Sequence, residues 1–206
     1  MVQITHCGDN SDRLKEIIEA AQKRFGMYGY EKTAVSEIAA DLNLSKASIY
    51  YYFADKGELF RAVIEIEHSE FISTVERQNA ILESASEMLV SYVEVNITFF
   101  RKLLNLTRIK HSEIINNKNI LEIIRNFRAK EVAQIEQILT KGKVSKAFEI
   151  DDPHTMAILF LDLLVGLRKM TVGKKDVIYL DDDEYDLLVS KVRQFTQIFI
   201  KGISKN

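Results

Sequence analysis

The chain has 206 residues, 47% of them hydrophobic and 28% charged, which is enough to bury one large core or two small ones and too apolar for a disordered chain. Eight glycines and one proline in 206 residues fall far below the roughly 12% of average usage, which excludes a fold of many short strands and hairpins and predicts an all-α protein. A net charge of −2 carries no general signature of a polyanion binder, so any such function must rest on local features.

The single Cys7 excludes an internal disulfide framework and zinc-finger spacing, and reads as a bystander in a loose N-terminus. The first twelve residues, MVQITHCGDNSD, have neither a basic nor an apolar region of the kind that directs secretion. The most apolar stretch, Met156 to Leu167, is interrupted by Asp162 and too short to span a bilayer. The expectation is a cytoplasmic protein without a membrane segment.

Ser11-Asp12 reads as the cap of a first helix, in which Leu14, Ile17, Ile18, Ala21 and Phe25 recur at helical spacing up to the Gly26–Tyr30 cluster. Thr33 is placed as the cap of a short second helix, Ala34–Asp41, with Val35, Ile38, Ala39 and Leu42 buried and Glu37 in its first turn. Leu42–Leu44 is a turn, and Asn43 tolerates the left-handed dihedrals that a tight turn after a helix requires. Ser45 caps a third helix up to Phe53, with Ile49 and Phe53 inward, and Asp55 caps a fourth. Further helices are expected at roughly 57–79, 83–106, 111–117, 119–141, 153–172 and 182–203. Asp152-Pro153 marks one start, and the acidic run Asp181–Glu184 suits another. Thr171 to Asp183 is the longest expected loop.

Two short helices joined by a three-residue turn, with a helix before them, describe a helix-turn-helix, whose second helix enters the major groove of DNA. The outward positions of that helix are Lys46, Ala47, Ser48, Tyr50, Tyr51 and Tyr52. Three consecutive tyrosines cannot all be buried on a helix, since neighbours lie about 100° apart. A phenol suits DNA: its ring packs on sugar or a thymine methyl while its hydroxyl donates to phosphate. Ser45 and Ser48 add neutral donors, and Lys46 and Lys56 add charge. Residues 1–60 hold seven Lys and Arg against nine Asp and Glu, a balance that makes modest, salt-sensitive affinity the expectation.

Thr33-x-x-x-Ile-Ala, then Leu44-Ser45-Lys46-Ala47-Ser48-Ile49-Tyr50-Tyr51-Tyr52-Phe53, then Asp55-Lys56-Gly57-Glu58-Leu59-Phe60 together resemble the DNA-binding domain of the TetR, or tetracycline-repressor-like, regulators. Phe25-Gly26-x-x-Gly29-Tyr30 resembles the end of that family's first helix. The match covers about residues 11–64; beyond it only length and helical pattern agree. The resemblance implies a homodimer that binds a palindromic operator and releases it when a small molecule enters the C-terminal domain. It places Thr33 on phosphate, Lys46, Ala47, Ser48 and Tyr50 toward bases, and Tyr51, Tyr52 and Lys56 on the backbone. Asn43 stands where the family commonly has Gly, and Ala47 where it frequently has Gly or Pro. The implied division is a helix-turn-helix domain over 1–56, ordered from about 11, and a ligand-sensing and dimerisation domain over 57–206.

In the last helix Tyr185, Leu188, Val192, Phe195 and Phe199 form a narrow seam at spacings of 3 and 4. The preceding helix, 153–172, is apolar nearly all round. With the implied pairing of the last two helices as a four-helix bundle, this seam together with Phe160 and Leu164 is the expected dimer interface, and Gly166 permits close approach there. Tyr92, Asn96, Phe99, Phe100, Phe127 and Asp162 are the candidate lining for a small apolar or amphipathic effector. Each of them reads equally well as an ordinary core or paired residue. His68 and His111 are alternative polar handles, although a lone histidine is more often a surface or satisfied core residue. No metal-ligand spacing, phosphate loop or nucleophile elbow occurs, and no cofactor is expected. The rival readings are an enzyme of unrecognised type and a helical adaptor that binds protein through the tyrosine-bearing helix.

Overall fold

In a computed structural model, residues 7–102, 118–172 and 181–205 are described, and they form eight helices with one isolated antiparallel bridge, Phe148 to Ser204. The expected helix at 111–117 lies outside the described residues. The chain divides into two compact units, one of residues 1–67 with 103–123 and the other of residues 68–102 with 124–206.

α1 runs Cys7–Tyr28, so the helix starts before the expected Ser11-Asp12 cap. Ile17, Ala21 and Phe25 form its buried stripe. It stops at Gly29, whose φ of +84° suits glycine alone without strain, and whose N–H donates to Phe25 O at 2.8 Å. α2 is Val35–Asp41 and buries Val35, Ile38 and Ala39. Its cap is Ala34, not Thr33: the Glu37 carboxylate reaches back to accept the Ala34 N–H at 2.8 Å. Asn43 turns the chain at φ 54°, and the Leu44 N–H donates to Ala39 O at 2.8 Å. α3, Lys46–Tyr52, is capped by Ser45, whose Oγ accepts the Ser48 N–H at 3.0 Å. α4, Lys56–Asn79, starts as Asp55 accepts the Glu58 N–H at 2.9 Å. Leu59, Phe60, Val63 and Ile64 close the core of the first unit, with the Phe60 and Phe25 rings edge to face at 5.0 Å.

α5 covers Ala85–Lys102, α6 Lys118–Val144, α7 Pro153–Val172 and α8 Asp182–Ile203, with α6 in the second unit from Ile124 onward. A reciprocal box starts α8: Asp181 accepts the Glu184 N–H at 2.9 Å, and Glu184 accepts the Asp181 N–H at 3.2 Å. α8 packs against α7 and α5. That packing gives the expected seam a partner within the chain. Phe160, Leu164, Leu188 and Val192 are buried in the chain's own core, and the Phe160 ring lies 5.4 Å from Phe195 and 4.7 Å from Phe199. A 3-and-4 spacing marks a helix that meets another helix, and here α7 of the same chain is that partner. The exposed apolar residues lie elsewhere: Leu159, Leu163 and Met170 on α7, Leu187 and Ile198 on α8.

Candidate functional site

The helix-turn-helix is built from α2, the Asn43 turn and α3. Ile49 anchors α3 at 1% exposure. With that one residue inward, Ser45, Lys46 and Ala47 are exposed and Ser48 is half-buried. Tyr50 is 41% exposed and Tyr51 78%, an unusual exposure for a ring of that size. Tyr52 is half-buried and meets the Tyr51 ring edge-on at 5.1 Å. The Lys46 ammonium lies 5.5 Å from the centre of the Tyr50 ring. Ser45 Oγ and Ser48 Oγ are 2.8 Å apart, so the two hydroxyls share one hydrogen bond at the start of α3. Serines, lysine and phenols thus share one outward surface.

Two expected contacts are placed differently. Thr33 is 1% exposed, and its hydroxyl donates to Gly29 O at 2.8 Å. It was expected on phosphate; a buried hydroxyl satisfied by a carbonyl cannot also reach outward, so Thr33 fixes the loop between α1 and α2. Lys56 is half-buried, with its ammonium 2.8 Å from Tyr30 O and 3.2 Å from Thr33 O, over the Tyr30 ring at 4.4 Å. Its ammonium donates to that same loop and keeps its positive charge. Arg24 likewise holds α1 to α2 through a forked pair with Asp41, at 2.5 and 2.7 Å. The guanidinium keeps the Asp41 carboxyl below its ordinary range.

The expected effector lining falls into two groups. Tyr92, Asn96, Phe99 and Phe127 are all buried. Phe71 of α4 meets Tyr92 at 5.9 Å and Phe99 at 5.6 Å, edge-on to both. Phe100 is half-buried under the Arg168 guanidinium, 5.2 Å from its ring centre. Asp162 does not belong with them: it is exposed and paired with Arg128 at 2.9 Å, because a carboxylate on the rim of an apolar helix finds water and a cation there.

Three polar residues adjoin that group instead, His68 buried and Glu131 and Arg168 half-buried. Glu131 of α6 accepts the Tyr92 hydroxyl at 3.0 Å, and its carboxyl is raised above the usual range by burial. Burial, with Glu131 beside it, pushes the Tyr92 phenol well up. His68 is 2% exposed, stacked flat on Phe127 at 4.0 Å, and burial helped by Lys130 lowers it to about 4. Arg168 donates to Asn96 Oδ1 at 3.3 Å. The sequence contains a signal for Glu131: it sits four residues after Phe127 and four before Ile135, in a row whose other members are buried.

A compact N-terminal unit presenting a helix-turn-helix, followed by a helical bundle, defines a DNA-binding transcriptional regulator. The sequence pattern of the bacterial regulatory proteins of the tetR family matches residues 17–63. The chain is 34% identical to a transcriptional regulator from Cytophaga hutchinsonii, with a TM-score of 0.82 over 94% of this chain and 99% of that one. It is 22% identical to the HTH-type transcriptional regulator QacR of Staphylococcus aureus, over 92% of this chain and 97% of the other. A transcriptional regulator from Saccharomonospora viridis, solved in complex with choline, shares the fold at a TM-score of 0.74 and 20% identity, over 95% of this chain and all of that one. The chain belongs to the tetR family of bacterial regulatory proteins.

Proposed function

We propose that the protein is a cytoplasmic repressor that binds a palindromic operator as a homodimer and is released by a small molecule. The observation that carries DNA binding is the outward surface of α3, where Tyr51 is 78% exposed on a helix anchored by one buried residue. Lys46, Ala47, Ser48 and Tyr50 are assigned to base edges and the groove floor; Ser45, Tyr51 and Tyr52 to phosphate. Thr33 and Lys56 serve binding by holding the loop before α2. The functional division is placed at 56/57, with effector and partner both taken by the C-terminal part. Repression follows from occupancy alone, since a dimer on an operator that overlaps a promoter needs no further contact surface.

Support for a second copy comes from the outer faces of α7 and α8. Leu159, Leu163, Gly166 and Met170 follow at spacings of 4, 3 and 4, and Leu159, Leu163 and Met170 are 48%, 42% and 80% exposed. Leu187 and Ile198 on α8 are 49% and 65% exposed. A Cβ placed on Gly166 or Gly202 would meet nothing within 4 Å, so both helices leave room for a close neighbour. Apolar stripes of this kind on adjacent helices are covered by equivalent stripes in a two-fold dimer. The choline bound by the Saccharomonospora viridis neighbour supports a small molecule as the effector.

The test begins with selection of genomic fragments retained by the purified protein. An enriched inverted repeat is the expected result. Replacing Tyr50 and Tyr51 together by alanine should then weaken binding at least tenfold, about 1.4 kcal/mol, in a protein whose unfolding midpoint is unchanged. Undiminished binding by the folded double variant overturns the assignment of α3.

A further inference from the structure

The polar groups that α3 offers outward form a short and one-sided set. From Ser45 to Tyr52 the positions around Ile49 hold serine, lysine, alanine and tyrosine, and no Arg, Asn, Gln, Asp or Glu. The two serine hydroxyls are partly engaged with each other: Ser45 Oγ accepts the Ser48 N–H at 3.0 Å and lies 2.8 Å from Ser48 Oγ. The Lys46 ammonium stands 5.5 Å from the centre of the Tyr50 ring, one turn further along. Helical side chains lean toward the N-terminus, so the Tyr50 ring lies back against Lys46 and narrows the directions that a long side chain explores. Ala47 is exposed beside this pair and adds one methyl group. Positions 46, 47 and 50 share one helix face.

Each base shows a different edge in the major groove. Guanine presents two acceptors side by side, N7 and O6. Adenine sets an acceptor beside an amino donor, cytosine presents an amino donor, and thymine an acceptor beside a methyl group. An ammonium only donates. Guanine satisfies it twice, whereas at adenine or cytosine it meets another donor. Reading adenine's mixed edge takes a side-chain amide, and reading cytosine takes a carboxylate; α3 carries neither. The serine and tyrosine hydroxyls both donate and accept, so they bind without choosing. Apolar contact with the thymine methyl remains, and the Ala47 methyl and the Tyr50 ring supply it.

We propose that each operator half-site is read at a guanine by the Lys46 ammonium, and at a thymine in a neighbouring base pair by Ala47 and Tyr50; this rests on the reading of α3 as the DNA-binding helix. Adenine and cytosine are specified by α3 only as the partners of those two bases. The test takes the full-length protein and the inverted repeat enriched from genomic fragments, in binding titrations at low salt. Each guanine of a half-site is replaced in turn by 7-deazaguanine, which lacks N7, and by inosine, which keeps both N7 and O6. Each thymine is replaced by uracil, which lacks the methyl group. At one guanine, 7-deazaguanine should weaken binding about fivefold or more, while inosine there should leave it within about twofold. Uracil at a thymine of an adjacent pair should weaken it roughly fourfold. Lys46→Ala should bind the 7-deazaguanine and unmodified duplexes equally. Lys46→Gln should move the preferred pair at that position from G·C to A·T, since an amide matches adenine. Lys46 is exposed, and unfolding midpoints check that both variants fold; if one does not, the modified-base profile of the unaltered chain decides. A profile in which no guanine responds to loss of N7 overturns the proposal, as does a response that persists in Lys46→Ala. Equal loss of affinity by Lys46→Ala on operator and on unrelated duplex also overturns it, because that puts the ammonium on phosphate. Any of these results, on an operator that the Tyr50→Ala, Tyr51→Ala double variant binds more weakly, removes the base assignment and leaves the DNA-binding role of α3 standing. A chain that retains no duplex specifically removes both.

Discussion

At the scale of single residues, the side chains that matter are those whose polar atoms are committed or left over. His68 gives a measurable case. Its folded-state value of about 4 lies below the ordinary 6.5 of an exposed histidine, so the unfolded chain takes up a proton that the folded chain refuses. The stability His68 allows is therefore complete above about pH 6.5, falls as the pH drops, and levels off near pH 4, for a loss of roughly 3 kcal/mol. Glu131, raised by burial, works in the opposite direction as it takes a proton. Comparing the protein with His68→Leu isolates the histidine. Urea unfolding between pH 7 and pH 4 should show the unaltered chain losing more stability than the variant; parallel curves would contradict the burial. Little of this was legible in the sequence. Lys56 and Thr33 have the residue types of phosphate ligands and the positions to match, but where a hydroxyl or an ammonium points depends on carbonyls that only the folded loop between α1 and α2 brings near. Lys46 and Tyr51 were legible because a one-residue anchor, Ile49, leaves a short helix no other way to face.

At the scale of elements, local chemistry sets the helix boundaries closely. Ser45, Asp55 and Asp181 each cap the helix that their sequence positions predict, because a cap needs only its own next three residues. The Thr33 cap failed by one position, since Glu37 can close the first turn of α2 on Ala34 with no cap side chain at all. The turn between α2 and α3 depends on Asn43 at φ 54°. Asn43→Gly should leave stability unchanged or raise it slightly, whereas Asn43→Val should cost about 1–2 kcal/mol, because a β-branched residue crowds its own backbone there. Thermal unfolding of the two variants is the check; equal midpoints would mean that the turn can relax. The seam of α8 shows the limit of such reasoning. Periodicity reports that a helix face is covered, and it is silent on whether the cover comes from the same chain.

At the scale of the whole molecule, that ambiguity becomes a contrast between two substitutions. Leu163 is 42% exposed on α7, and Leu188 is fully buried on the inner face of α8. Leu163→Glu should give a folded chain that sediments as a monomer at micromolar concentration and loses specific DNA binding, since two half-sites require two recognition helices about one helical turn of DNA apart. Leu188→Glu should unfold the C-terminal unit, because a carboxylate there is stranded in apolar surroundings. A dimer persisting in Leu163→Glu would move the interface off the outer faces of α7 and α8. The all-α architecture and the helix-turn-helix were readable from composition and motif, and the family comparison agrees with both. The buried polar layer around Glu131 was not, because charged residues spread along a 27-residue helix look alike until their neighbours are known.

The commitment of Lys56 and Arg24 to the scaffold also bears on how such a protein finds its site. With Lys46 as the cation of α3, and phenols and hydroxyls as its other polar groups, the proposed contacts would displace few counterions from arbitrary duplex, and the chain would gain little from DNA of the wrong sequence. Time held on non-target DNA is then short, and one-dimensional sliding covers little ground before the protein returns to solution. On the proposed contacts, search would proceed by repeated three-dimensional encounters, and occupancy in a cell would depend on copy number more steeply than for a regulator with a strongly cationic face.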